Sequence, residues 1–304
     1  MFTQKLGSRL HVVDLKPAGL DDFVASYVLK GEKAVAIVES GPRCSVQNLL
    51  HGLREVGVKN EDVEYVFVTH VHIDHAGGAG TLMHSLPNAE LVVHPKGAPH
   101  MVRPEKLWER SKMVLGEFAV LYGEIEPVPE DRVLAAYEGM RFDLGGSVQL
   151  EVLETLGHAS HHLAFFEGGS RGVFVGDATG VYIPQLDVTV PATPPPFYLE
   201  PTLASLEKIA GLRPGRLYYT HFGCVERADE RLKRYEAQLK LWAEVVSDAV
   251  RDGDNVENMR KRILERDPQM RVAAGFIGKH VLLRQGVVMQ DIQGYVEYFK
   301  KLMA

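Results

Sequence analysis

The chain has 304 residues, 45% hydrophobic and 24% charged, ample material for a large core in one domain or two unequal ones. Its formal net charge of −6 argues against a protein that works mainly by neutralising nucleic-acid phosphates or an anionic membrane. Its two cysteines, Cys44 and Cys224, supply neither a disulfide framework nor a thiolate metal site. No apolar run approaches the roughly eighteen residues of a membrane span, and the amino terminus lacks a basic-then-apolar leader pattern, so the cytoplasm is the expected location.

Residues 10–15, 24–29 and 34–38 read as a meander of three strands, with Gly31-Glu32-Lys33 as the turn joining the last two. Residues 45–56 follow as an amphipathic helix, with Val46, Leu49, Leu50 and Leu53 facing inward and Ser45 as its cap. Residues 63–68 form a short apolar strand that delivers the chain to Thr69-His70-Val71-His72-Ile73-Asp74-His75-Ala76-Gly77-Gly78. A helix is expected from about 81 to 85, which puts the cluster on a strand-to-helix loop, where α/β proteins gather functional groups. His70, His72, Asp74 and His75 crowd three imidazoles and a carboxylate together, which costs solvation unless a cation organises them. Nitrogen and carboxylate oxygen without thiolate suit zinc, iron or manganese.

Residues 89–93 are a further strand, and His84, His94 and His100 read as ordinary surface or helix-end histidines. Residues 104–124 form a helical stretch with Leu107, Trp108, Val114, Leu115, Phe118, Leu121 and Tyr122 on a broad apolar face. Such a face packs on the body, roofs a site or pairs with a second copy in a homodimer; the sequence leaves the three open. Short strands at 132–135, 140–142, 148–155, 162–167 and 172–175 come next, and a last one at 217–220. His158 follows one of these strands, Asp177 ends the apolar Val173-Phe174-Val175-Gly176 run, and His221 closes Leu217-Tyr218-Tyr219-Thr220. The proline-rich segment 179–199 is either a stiff surface strap or a wall of the substrate pocket, in which Tyr182 is the favoured hydrogen-bond donor to a developing oxyanion. The remainder reads as helices at 201–212, 227–252, 256–265, 273–283 and 290–302.

His70-x-His72-x-Asp74-His75 before Ala76-Gly77-Gly78 resembles the signature loop of the metallo-β-lactamase-fold superfamily, which includes glyoxalase II, lactonases and phosphodiesterases. The resemblance continues through His158, Asp177 and His221, in the family's order, over about the first three quarters of the chain. It implies an α/β (α+β) fold, a four-layer αββα sandwich over 1–225 with a helical insertion at about 97–125 and a helical C-terminal region at 226–304. It also implies two divalent metal ions, zinc foremost with iron and manganese open. His70, His72 and His158 would hold one and Asp74, His75 and His221 the other, with Asp177 and a hydroxide between them. Asp74 would double as general base or acid. Glu39 stands where the family commonly supports the metal ligands with an acid, usually Asp; His162 has a supporting or packing role, and His161 is unassigned.

The function this implies is a metal-dependent hydrolase that uses a metal-bridging hydroxide on a small ester, lactone, thioester or phosphoester. The alternative is a redox member of the fold: a mononuclear-iron persulfide dioxygenase, or a diiron oxygen reductase, which normally carries a flavodoxin-like partner domain. A catalytically idle binding module is the third reading. A small-molecule substrate is the expected partner, with no membrane and no nucleic acid. Nothing in the terminal helices matches the basic residues and tyrosine with which glyoxalase II binds glutathione, which disfavours a thioester.

Overall fold

Val35-Ala36-Ile37-Val38 is apolar at every position because both of its faces are covered: Val35 and Ile37 belong to one core cluster, Ala36 and Val38 to another. The protein's structure, a computed structural model, describes residues 2–280 and 283–303 and divides into two compact units.

The first unit comprises Met1–Glu154, His161–Gly176 and Gly215–Glu226. Its first sheet has seven strands in sequence order: β1 (Thr3–Lys5), β2 (Leu10–Asp14), β3 (Ala25–Lys30), β4 (Val35–Val38), β5 (Val63–Phe67), β6 (Glu90–Val93) and β7 (Val133–Ala135). Strands β1 to β4 pair antiparallel and β4 to β7 parallel. Parallel neighbours need crossovers, and helices provide them. These are α1 (Val46–Glu55) before β5; α2 (Ile73–Ala76) and α3 (Ala79–Met83) before β6; α4 (Ala98–Val102), α5 (Glu105–Leu115) and α6 (Glu117–Tyr122) before β7.

The second sheet draws on β8 (Arg141–Gly145), β9 (Val148–Glu154), β10 (Leu163–Glu167) and β11 (Gly172–Gly176). After the separate hairpin β12 (Val181–Ile183) and β13 (Val188–Val190), it is completed by β14 (Arg216–Tyr219) and β15 (Gly223–Glu226). Its order is β15-β14-β11-β10-β9-β8, antiparallel except for β11 with β14. The two sheets enclose Tyr27, Phe67, Val92, Phe142, Val152, Phe165 and Phe174. Phe67 meets Phe142 at 4.9 Å and Phe165 at 5.0 Å, both edge to face, the arrangement the ring quadrupoles favour. On the other face of the first sheet, Val13, Ile37, Val66 and Leu91 pack with Leu49 and Leu53 of α1 and Leu82 of α3.

The second unit comprises Thr155–Ser160, Asp177–Pro214 and Arg227–Ala304. It holds the β12–β13 hairpin and, among the described residues, the α-helices α7 (Leu199–Gly211), α8 (Ala228–Arg251), α9 (Val256–Arg266), α10 (Pro268–Ile277) and α11 (Val287–Met303). The long α8 packs against α7, α9 and α11 around buried Tyr235, Leu239, Trp242 and Tyr295. Asp267 is buried here, yet its carboxylate accepts from Gln238 Nε2 and Trp242 Nε1 at 2.8 Å and from the amides of Gln269 and Met270.

Several elements depart from expectation for local reasons. The stretch 104–124 is two helices because Gly116 takes φ 57°, ψ −127° and ends α5. Ser45 makes no side-chain cap; a 3₁₀ turn at Arg43–Ser45 leads into α1 instead. The helix expected at 273–283 begins at Pro268, because Asp267 caps it and proline is tolerated in a first turn; it ends at Ile277, and residues 281 and 282 lie outside those described. His94 is buried rather than superficial. Among the described residues, no helix is long and apolar enough to cross a membrane.

Candidate metal centre

Because β4 and β5 run parallel and adjacent, the residues that follow them emerge side by side, Glu39 after β4 and Thr69 to His75 after β5. Backbone bonds lock the two loops together: the amides of Ser40 and Gly41 donate to His75 O at 3.1 and 2.9 Å, and that of Gly78 to Gly41 O at 2.7 Å. Ala25 at the start of β3 donates its amide to Thr220 O at 2.8 Å, which brings the end of β14, and with it His221, to the same place.

Glu39 is the hub of this end of the first unit. It is 1% exposed, with a left-handed φ of 70° that a non-glycine residue adopts only when its surroundings enforce it. Its Oε1 accepts from the hydroxyls of Thr69 at 2.5 Å and Thr220 at 3.0 Å and from His75 Nδ1 at 3.0 Å; its Oε2 accepts from the Thr69 amide at 3.2 Å. The Thr69 hydroxyl donates its hydrogen to the bond with Glu39, so its oxygen is left to accept from His70 Nδ1 at 3.0 Å. One buried carboxylate therefore fixes two imidazoles, His75 directly and His70 through Thr69.

His221 is set in the same way, its Nδ1 standing 2.9 Å from Phe23 O. A carbonyl oxygen can only accept, so Nδ1 carries the proton and, in the neutral ring, Nε2 presents its lone pair. That Nε2 lies 3.4 Å from Asp74 Oδ2, and His75 Nε2 lies 3.9 Å from the same oxygen. Ligand atoms of Asp74, His75 and His221 fall within 4.8 Å of one another. His70 Nε2 and His72 Nδ1 approach to 2.8 Å, their rings 4.4 Å apart. His162 stacks on His70 at 4.9 Å, and the His161 ring lies 6.3 Å from it. Helix α6 touches α2, which carries Asp74 and His75. Burial, with the charge of Asp74 next, pushes the Tyr122 phenol on α6 well above its usual range.

In the second unit the structure brings His158 and Asp177 together, Nε2 to Oδ2 at 3.4 Å. His158 Nδ1 stands 2.9 Å from Ala192 O, which can only accept, so Nδ1 donates and the neutral ring presents Nε2, as in His221. Gly157 permits the turn before it, with φ 138° and no room for a Cβ, which would stand 2.0 Å from Thr202 Oγ1 of α7. Tyr182, the expected oxyanion donor, gives its hydroxyl to Asp187 at 2.8 Å across the β12–β13 hairpin, with the Arg231 guanidinium over its ring at 5.5 Å. Sequence reasoning did not single out Asp291, a buried acid whose carboxyl is pushed well above the usual range by burial first and by the charge of Asp177 as well. The available signal was an acid inside the apolar run Val287-Val288-Met289-Gln290-Asp291-Ile292.

The residues fit divalent cations. Three histidines on separate segments have Nδ1 committed to a protein acceptor, which fixes the tautomer that presents Nε2 to a metal. A carboxylate accompanies them, Asp74 beside His75 and His221 and Asp177 beside His158.

The sequence profile described as "Metallo-beta-lactamase superfamily" matches residues 19–221. The chain is 26% identical over 242 residues to the metallo-beta-lactamase fold-containing protein ST1585 of Sulfurisphaera tokodaii, spanning 76% of this chain and 87% of that one. The crystal structure of ST1585 aligns with a TM-score of 0.66 at 27% identity, over 76% of this chain and 85% of that one. A Bacillus subtilis protein named "Probable metallo-hydrolase YqjP" is 28% identical over 182 residues, 53% of this chain and 54% of its own length. The metallo-beta-lactamase family protein TTHA1429 of Thermus thermophilus, at 22% identity, shares the fold with a TM-score of 0.69 over 99% of this chain and 96% of that one. With its two sheets, its helices and its histidine and aspartate cluster, the chain belongs to the metallo-β-lactamase superfamily.

Proposed function

We propose that the protein is a hydrolase with a dinuclear metal centre, acting on a small ester, lactone, thioester or phosphoester. His70, His72 and His158 would hold one cation and Asp74, His75 and His221 the other, with Asp177 shared between them. The observation that carries this reading is the committed Nδ1 of His75, His158 and His221, an arrangement that costs ring freedom and serves a metal ligand. Bound divalent cations would lower the pKa of a water and polarise the carbonyl or phosphoryl oxygen of the substrate, with zinc the leading choice and iron or manganese the others.

The chain's own groups then have defined work. Asp74 has a side chain 26% exposed, whereas those of His75 and Glu39 are sealed at 0% and 1%, so it is the carboxylate placed to meet substrate. It accepts the proton of the attacking water and returns it to the leaving group. Glu39 and Thr69 hold His75 and His70 in one tautomer throughout, so no reorientation is needed as charge develops. A small neutral or anionic organic substrate suits this reading, and a chain of net charge −6 is not built to grip nucleic acid.

The test is a panel of an aryl ester, a lactone, S-lactoylglutathione, an aryl phosphodiester and a phosphotriester. Each is offered to metal-free protein and to protein reconstituted with zinc, iron or manganese. Metal-dependent hydrolysis of at least one is the expected result. No hydrolysis with any metal, together with oxygen uptake on a persulfide, would move the assignment to the dioxygenase.

A further inference from the structure

The segment after the β12–β13 hairpin runs Ala192-Thr193-Pro194-Pro195-Pro196-Phe197, and its three prolines have no amide hydrogen. Thr193 is therefore the only residue between Ala192 and Phe197 whose amide can anchor it. That amide donates to Asp291 Oδ1 at 2.6 Å, and the Thr193 hydroxyl donates to the carbonyl of Asp291 at 3.2 Å. A Cβ on Gly294, one turn further along α11, would stand 1.9 Å from Thr193 O and 3.0 Å from Phe197 Cβ, so the helix lies directly on this backbone. Thr193 is 0% exposed and Asp291 3%, and without the carboxyl the Thr193 amide would be a buried donor with nothing to receive it. The peptide so gripped is the planar unit that carries Ala192 O, the acceptor that orients His158.

We propose that Asp291 and Gly294 of α11 form a clamp on Thr193 that positions the imidazole of His158 through the Ala192 carbonyl, coupling the C-terminal helix to metal binding. Asp291 is a positioning residue: it touches neither the metal nor the substrate. The inference rests on the proposed reading of His158 as a metal ligand and adds the device that aims it. The physical effect is that of any group holding a ligating histidine: it fixes which ring nitrogen is presented and where. The clamp needs an acceptor rather than a negative charge, so asparagine should replace Asp291 and alanine should not.

The test uses the full chain, stripped of metal, as wild type, D291A, D291N and G294A, with thermal unfolding of each to confirm that it folds. Zinc affinity is read by chelator competition, and the ligand field by the visible absorption of the cobalt(II)-substituted protein. Expected are a roughly 10- to 100-fold loss of affinity for one zinc equivalent in D291A and G294A, a changed cobalt spectrum, and recovery to within about threefold of wild type in D291N. The same D291A change made on H158A should cost no further affinity, since the ring it aims is gone. Wild-type affinity in D291A and G294A, a loss that D291N does not restore, or an equal loss in the H158A background would each overturn the clamp. A wild-type chain that binds no zinc, iron or manganese would instead overturn the hydrolase reading on which it rests.

Discussion

Nδ1 of His75 donates to Oε1 of Glu39 across 3.0 Å, with both side chains closed to solvent and both loops bonded backbone to backbone. A carboxylate suits this position because four donors converge on it and it offers only acceptors. Glu39→Gln keeps the shape but turns an NH₂ toward groups that themselves donate. The expected result is a roughly 10- to 100-fold weaker metal affinity by chelator competition. The metal-free protein should also lose about 1–3 kcal/mol of stability in denaturant unfolding.

Asp74→Asn removes a carboxylate that lies 3.4 Å from His221 Nε2 and is the proposed proton carrier. Turnover of any substrate found should fall by about 10²- to 10⁴-fold under saturating metal, measured as kcat. Turnover near wild type would take Asp74 out of the mechanism.

Tyr182→Phe deletes a hydroxyl whose partner is Asp187, an exposed residue that also pairs with Arg231. The expected change is within about twofold in kcat and about 1 kcal/mol in stability. A kcat loss of several hundredfold would support the oxyanion role read for Tyr182 from the sequence.

His94 sets a pH dependence. Burial lowers its pKa below 6.5, Lys96 adds to that, and Glu154 opposes it. The folded chain thus binds this proton less readily than the unfolded chain, so its contribution is complete above 6.5 and is lost as pH falls from there toward the folded pKa. Denaturant unfolding of metal-free wild type should weaken over that window, and His94→Gln should show a shallower slope there. An unchanged slope would mean that the window belongs to other histidines.

How far the sequence could be read follows from how local each feature is. His70, His72, Asp74 and His75 are legible because one loop carries them, and His158, Asp177 and His221 because each follows a strand in the order of a familiar pattern. The meander and the inner-sheet strands are legible because burial on both faces demands apolar runs. The surroundings of Tyr182 were not legible because Asp187 and Arg231 are set beside it by a hairpin of three-residue strands hidden within a proline-rich stretch. Asp291 escaped notice because its partner is Thr193, 98 residues earlier, and no local pattern records such a bond. The break at Gly116 shows the same limit, since apolar periodicity runs through a glycine that the backbone uses to end a helix.

The most direct measurement is a titration of metal-free protein with zinc, following bound metal by elemental analysis and hydrolysis of the best panel substrate together. Two equivalents bound per chain are expected, with activity that appears only with metal and saturates as the second equivalent fills. Saturation at one equivalent, or a chain that purifies with a single iron and consumes oxygen without hydrolysing anything, would contradict a dinuclear hydrolase.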